Sequence, residues 1–400
     1  MAMSARFATR ALKVGAEVTG LDLRALIHEG ASSSSVMHEG ASSSSVIHEG
    51  ASSSLAAQLR EALDEHGLLL LRGQHLKPDD HVQCAEWFGP VFQLPLRFQH
   101  RKSPFPLDIL RMSNDATEGY VGVGTSGWHI DGTSYEKPFQ LALMHIIHSP
   151  QSPAPTLFMP LGPLASRIRH HAPSWDRLWV RNGKGTHPLL YAHPRTGMPG
   201  VCLGKVHHFV WDQGEPEQRV ADEEETTATL ADLHAHAEAF ASDHRVYRHE
   251  WRAGDLILVD NLAVAHLASM ETQLPREEAG LRVLHRIVVA GVDLLTPLHQ
   301  TEQCGRMAEL FTKQAPPGAQ RLAARALSDW PEWRCEAYPA SAAGRFQESR
   351  WWEASGRHVR GPDRIGTHAR RPSTSEPWVI DGFVGSVLLR RKSWSRVSFW

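Results

Sequence analysis

The stretch Gly127-Trp128-His129-Ile130-Asp131-Gly132-Thr133 places a histidine and an aspartate two positions apart. It lies just ahead of an apolar run, Phe139-Gln140-Leu141-Ala142-Leu143-Met144-His145-Ile146-Ile147. In extended backbone successive side chains alternate faces, so His129 and Asp131 point one way and Ile130 the other. An imidazole and a carboxylate on one face are two thirds of a facial metal site, and the third donor should be a distant histidine. The segment from Gly254-Asp255 through Leu256-Ile257-Leu258-Val259-Asp260-Asn261 to His266 reads as a turn, a buried strand, a second turn and a strand ending in His266. Two histidines and one carboxylate with open positions are the donor set of non-haem Fe(II) oxygenases.

Around these segments the chain reads as many short strands with a few helices. Strands are expected at 16–23, 68–71, 107–112, 139–147, 246–251, 255–260 and 281–290, and His187 to Gly197 reads as a strand running into a turn. Ser54 reads as the N-cap of a helix from Leu55 to Leu63, whose leucines are spaced by four. Further helices are expected at 77–88, 161–171 and about 217–241. This mixture of short strands, Gly/Pro turns and decorating helices indicates an α+β, mainly β chain, a sandwich or jelly roll.

A decapeptide repeat interrupts the pattern: Ile27-His28-Glu29-Gly30-Ala31 with four serines and Val36, again from Met37 to Val46, and a shorter copy from Ile47. Its Ser/Gly composition cannot offset backbone ordering, so residues 27–54 are expected to be a flexible insertion. His28, His38 and His48 could meet a metal adventitiously, but they read instead as a tandem duplication in a tolerant surface loop. From about 296 strand patterning fades and Arg and Trp accumulate; seven of the thirteen tryptophans lie between Trp330 and Trp400. An amphipathic helix or two is expected at 305–327. The organisation expected is one domain over 1–295 and a Trp/Arg-rich extension over 296–400, poorly ordered or loosely docked.

A net charge of −2 argues against nucleic acid or an anionic membrane as electrostatic partners. No apolar run is long enough for a transmembrane helix. Cys84, Cys202, Cys304 and Cys335 have no metal spacing and read as unpaired thiols in a reducing compartment. The expected location is the cytoplasm. A mitochondrial leader over Met1–Val14, with Arg6, Arg10 and Lys13, is the lesser alternative. The expected partner is a small molecule, with homo-oligomerisation left open.

Several ordered motifs together resemble the TauD/TfdA family of Fe(II)- and 2-oxoglutarate-dependent dioxygenases over roughly residues 8–292. They are Trp128-His129-x-Asp131; Thr156, twenty-five residues after Asp131; His187-Pro188 through His193-Pro194-x-Thr196-Gly197; Gly254-Asp255 with Asp260-Asn261 and His266; and Leu281-Arg282-x-x-x-Arg286 with Ala290-Gly291. The resemblance implies a double-stranded β-helix (jelly-roll, cupin-like) core with flanking helices. It implies Fe(II) on His129, Asp131 and His266, with O2 as oxidant. It also implies 2-oxoglutarate held by Thr156 and Arg282, and Arg286 reaching an anionic group of the prime substrate. An arginine fork suits a carboxylate. Arg282 and Arg286 share a strand face about 13 Å apart, and two buried arginines there would be costly without anionic partners. In halogenase-type relatives a small residue replaces the carboxylate, so Asp131 favours hydroxylation.

The chain also departs from the family. Ser152-Pro153-Ala154-Pro155 stands where glycines usually precede the Thr, and the segment between His266 and Arg282 is long. Phe92 follows Phe88-Gly89 where the taurine enzymes carry a sulfonate-binding histidine, so taurine is not the expected substrate. Phe92, Thr125 and Gly132 are candidates for the substrate lip. Two alternatives remain open: a metal-binding or scaffold homologue that has lost turnover, and a carnitine-pathway type hydroxylase, which would want an aromatic cage. The remaining histidines, including His145, His148, His170, His171, His207, His208, His234 and His236, read as structural.

Overall fold

The computed structural model describes residues 7–32, 45–124, 127–243, 245–301 and the strand segments within 333–391, with side chains described over 7–28, 54–124, 127–243 and 245–301. Contacts divide the chain into Met1–Pro297 and Leu298–Trp400.

The first unit is built on Leu68–Leu71, four consecutive leucines with no exposed surface. A strand this apolar must be covered on both faces, and it is. Leu69 and Leu71 join Leu141, Leu143, Leu256, Leu258 and Val289 in one cluster, with Leu55, Leu59 and Leu63 of the helix Ser45–His66. Leu68 and Leu70 face the opposite cluster, with Ala142, Met144, Ile257, Val259, Leu284, Val288 and, from a second sheet, Phe158 and Val264. The large sheet has seven strands in the order Ala8–Ala11, Ala16–Thr19, Leu68–Leu71, Leu256–Asp260, Leu141–His148, Val283–Val289 and Leu110–Ser113. Every neighbour is antiparallel except the pair Ala16–Thr19 and Leu68–Leu71. The small sheet runs Tyr247–His249, Thr156–Pro160, Val264–Ala268. Helices cover the outer face of the large sheet, and the small sheet covers the inner one.

Several boundaries differ from the sequence reading. The helix begins at Ser45 rather than Leu55, so Ser54 is inside it and is no cap. Leu23–Ser32 is also helical, so both described parts of the repeat region are helix where a loop was expected; residues 33–44 lie outside the described residues. The strand expected at 107–112 is Leu110–Ser113, and the acidic helix is Glu223–Ser242, capped by Asp222 through its bond from Glu225 N. In the second unit Trp333–Ala337, Val387–Arg391, Val379–Val384 and Ile365–Arg370 form a four-stranded antiparallel sheet, and Arg350–Trp352 pairs with His358–Arg360. Those strands fall where the sequence reading expects none. The helix sought at 305–327 lies outside the described residues. Among the described residues no helix is long and apolar enough to cross a membrane.

The outer face carries a histidine cluster. His285 and His145 are cross-strand partners, His81 packs edge-on to His145 at 5.6 Å, and Arg111 Nη1 donates to His285 Nε2 at 2.8 Å. Burial, then Arg111 and the neighbouring imidazoles, push His285 down to about 3, and burial drives His81 well down too. Both are neutral in the native protein, whereas an unfolded chain takes up their protons below about 6.5. Their contribution to stability is therefore complete above that pH and is lost as the pH falls toward 3. The urea midpoint is expected to drop steadily between pH 7 and pH 5; a flat midpoint over that window would contradict it.

Candidate active site

His129 and His266 are a hydrogen-bonded antiparallel pair, although they are far apart in sequence. His129 N donates to His266 O (3.2 Å) and His266 N to His129 O (3.0 Å). Directly opposed residues on an antiparallel pair project to one face, and the two imidazoles lie 4.3 Å apart centroid to centroid. Asp131, two residues along, joins them, with its Oδ2 3.7 Å from His266 Nε2. One ligand atom from each of the three lies within 4.8 Å of the others, and this is the one such grouping of His, Cys, Asp or Glu among the described residues.

The protonation states suit a cation. His129 Nδ1 sits 2.8 Å from the Gly127 carbonyl, which makes it the N–H donor and leaves Nε2 as the lone pair. Burial, then the neighbouring His129, push His266 down to about 3, so its imidazole is neutral at neutral pH. Burial alone would raise the Asp131 carboxyl, but Arg286, His266 and His129 outweigh it and hold it below the usual range. Arg286 Nη1 reaches both Asp131 oxygens, at 3.0 and 2.9 Å. The sequence reading gave Arg286 to substrate alone; the structure pairs it with Asp131, while its buried Nε has no partner among the described residues.

Arg282 is the opposite case. It is 7% exposed, its Nε has no partner, and no carboxylate lies within 4 Å among the described residues. Burial lowers it to about 10. Its backbone is fixed from both sides, N donating to Asn114 Oδ1 and O accepting from Ser113 Oγ. Thr156 is also buried, at the start of the strand Thr156–Pro160, and accepts from Trp251 Nε1 at 2.9 Å. The loop before it, Ser152 to Pro155, leaves Thr156 in sheet register with His249 and Ala268. The long 267–281 segment folds into the short helices Met270–Gln273 and Arg276–Ala279, and Gln151 and Ser152 both donate to Ala279 O. The segments leading into Thr156 and Arg282 are thereby tied together.

The sequence profile of the taurine catabolism dioxygenase TauD, TfdA family matches residues 40–159 and 166–288. The chain belongs to the TauD/TfdA family. This TauD/TfdA chain is 25% identical over 263 residues to the (S)-phenoxypropionate/alpha-ketoglutarate-dioxygenase of Delftia acidovorans, covering 55% of this chain and 83% of that protein. It is 26% identical over 243 residues to the alpha-ketoglutarate-dependent 2,4-dichlorophenoxyacetate dioxygenase of Cupriavidus pinatubonensis, covering 52% and 81%. The structure of a taurine dioxygenase from Burkholderia xenovorans shares its fold, with a TM-score of 0.53 at 20% identity, covering 73% of this chain and 92% of that one. Membership makes the TauD/TfdA chain an oxidoreductase of the 2-oxoglutarate-dependent dioxygenase class, whose cofactors are Fe(II), 2-oxoglutarate and O2.

The other family motifs are scaffold for the triad. Asn261 Nδ2 donates to Asp131 O and Phe139 O, and its Oδ1 accepts from Asp131 N, so one buried amide grips the backbone of Asp131 from both sides. Asp260 is held in turn by His193 Nε2 at 3.1 Å, and His193 Nδ1 accepts from Arg195 N and Thr196 N. The sequence reading assigned no role to Asn261 or Trp251; the signals available were the D-N pair itself and a tryptophan three residues ahead of Gly254. Of the lip candidates, Phe92 packs edge-on to Tyr135 and tilted against Phe139, at centroid distances of 4.9 and 4.6 Å. Gly132 has φ +85°, and a Cβ there would come within 2.8 Å of the Phe139 ring, so it is a turn packed under that ring. Thr125 lies outside the described residues.

Proposed function

We propose that this chain hydroxylates a small apolar organic acid, coupling the reaction to conversion of 2-oxoglutarate to succinate and CO2. The observation that carries the reading is Arg282, a buried guanidinium without a carboxylate in a family whose cosubstrate is a dicarboxylate. Burying an unpaired cation is costly, and an anion seated on it removes the cost. In this reading the core is a double-stranded β-helix. His129, Asp131 and His266 hold Fe(II), and Arg282 with Thr156 holds the far carboxylate of 2-oxoglutarate. Iron with 2-oxoglutarate supplies O2 activation and the electrons for hydroxylation. The chain's own residues set geometry and charge: Asn261 fixes the Asp131 backbone, and Gly127 O fixes the His129 tautomer.

Arg286 gives the substrate its anionic anchor through its unused Nε. It stands between Leu284 and Val288 on the inner face, with Met144 and Leu110 as cross-strand neighbours. The aromatic group Phe92, Tyr135 and Phe139 packs against the same cluster. An arginine in apolar and aromatic surroundings suits a carboxylate on an aromatic body, as in the phenoxy acids named for two relatives. The three rings pack on one another at 4.6 to 5.4 Å and leave no gap between them for a trimethylammonium group. Hydroxylation at a carbon bearing an ether oxygen would give a hemiketal or hemiacetal that collapses to a phenol and a carbonyl acid.

The test is anaerobic Fe(II) addition with 2-oxoglutarate, followed by succinate and phenol release with phenoxy acids and with taurine. A weak visible charge-transfer band and turnover favouring the phenoxy acids are expected. Iron binding without the band would sink the cosubstrate site, and taurine as the better substrate would sink the reading of the substrate as an apolar acid.

A further inference from the structure

Thr156 carries an unused proton in a dry place. Its hydroxyl is buried, and no acceptor for its O–H is found among the described residues. What it does have is a donor: Trp251 Nε1–H at 2.9 Å. An indole N–H can only donate, so the polarity of that bond is fixed and Thr156 Oγ1 is the acceptor. With one lone pair occupied, the threonine proton remains for another group, and a buried O–H without an acceptor favours an anionic oxygen.

Trp251 is itself held on several sides. Ser149 Oγ donates to its carbonyl at 2.7 Å. Its ring stands edge-on to His249, 4.5 Å away at 88°. His249 is fully buried and is the sheet partner of Thr156. Tyr247 OH lies 2.9 Å from His249 Nδ1, and Asp255 Oδ2 lies 3.1 Å from its Nε2. Asp255 is anchored by Arg72 Nη1 at 2.6 Å and by Arg252 N at 2.9 Å. A chain of contacts thus runs from the part-exposed Arg72 through the buried Asp255 and His249 to the indole, and from the indole to Thr156.

We propose that Trp251 is a positioning residue for the cosubstrate: its N–H occupies the acceptor side of Thr156 and aims the threonine proton at the 2-oxoglutarate carboxylate. The assignment rests on the reading of Thr156 and Arg282 as the cosubstrate site. It also assigns the Tyr247–His249–Asp255–Arg72 group the task of keeping the indole in place.

The experiment measures dissociation constants on the Fe(II)-loaded full chain without turnover. 2-Oxoglutarate is followed anaerobically by the charge-transfer band and N-oxalylglycine by calorimetry. Trp251→Phe keeps the ring and its contact with His249 and removes only the N–H. It is expected to weaken both ligands about five- to tenfold, the worth of one hydrogen bond, with Fe(II) affinity unchanged. Thr156→Val is expected to weaken them by more, and the double variant to match Thr156→Val alone, since the tryptophan acts through the threonine. Thr156→Ser, which keeps both bonds, should bind within about threefold of wild type. Wild-type binding by Trp251→Phe, additive effects in the double variant, or a fall in Fe(II) affinity in step with the cosubstrate would each overturn the assignment. Should Trp251→Phe fail to fold, a Thr156→Ser defect as large as that of Thr156→Val overturns it instead. Absence of the band in the wild type removes the cosubstrate site itself, a result separable from all of these.

Discussion

Asp131→Ala is expected to abolish turnover and, unlike His266→Ala, to destabilise the metal-free protein severely. Both variants remove one of the three converging side chains proposed to hold Fe(II), and on that proposal two donors no longer fix the metal on one face. The expected loss of activity is at least about a thousandfold, ~4 kcal/mol of barrier. The stabilities separate them. Asp131 and Arg286 are each only 12% exposed at the side chain, and Arg286 Nη1 contacts both carboxylate oxygens. Removing the carboxylate strands a buried guanidinium, a loss that typically costs about 3–5 kcal/mol. His266 has no such dependant: its Nδ1 is unpartnered, and its ring loses packing with His129 alone among described ring contacts. Urea denaturation in chelator should therefore rank wild type above His266→Ala and His266→Ala above Asp131→Ala. Equal stabilities for the two variants would show that the Arg286 pair contributes nothing in solution.

That ranking also shows what the sequence could and could not reveal. The convergence of His129, Asp131 and His266 was legible because each sits in its own local pattern: an H-x-D in extended backbone, and a histidine ending a strand after a D-N turn. The exchanged backbone bonds between His129 and His266 join segments more than a hundred residues apart, yet both segments announce themselves as strands. The pairing of Arg286 with Asp131 was not legible. Alternation puts Arg286 on the inner face, but it does not say which carboxylate waits there, 155 residues away. The Trp251–Thr156 bond was hidden for the same reason.

The helix start at Ser45 was missed because serine and glycine read as loop. Their intrinsic penalties are at most about 1 kcal/mol each, and a helix already anchored by Leu55, Leu59 and Leu63 extends at low cost once nucleated. In the second unit, strands such as Ile365–Arg370 carry Gly, Thr, His and Arg in place of an apolar alternation, so periodicity gave no sign of them.

Arg282→Met should do the opposite of Asp131→Ala: it should remove cosubstrate binding while leaving the empty protein at least as stable. A charged hydrogen bond is worth about 1.5–3 kcal/mol, and a two-pronged contact to a carboxylate supplies two, so a loss of roughly a hundredfold or more in 2-oxoglutarate affinity is expected. The stability argument runs the other way because Arg282 has no carboxylate to strand. Its guanidinium is buried to the point of being pushed down to about 10 with no charge to offset it. Methionine is apolar and flexible enough to fill the same space. Replacing an uncompensated buried cation by such a side chain is neutral or stabilising. Saturating 2-oxoglutarate at about 100 times its dissociation constant should stabilise Fe(II)-loaded wild type by about 2.7 kcal/mol and the variant by almost nothing. Arg282→Lys keeps the charge but loses the planar fork, and should recover only a small part of the affinity. A cosubstrate-free Arg282→Met that unfolds more than about 2 kcal/mol sooner than wild type would show the arginine to be a structural contact. Four residues further on, inside the strand Val283–Val289 that Arg282 only precedes, Arg286→Met is expected to destabilise the protein because it deprives Asp131 of its counter-charge. The two arginines are alike in burial and sequence setting, and what separates them is whether the chain itself supplies the anion.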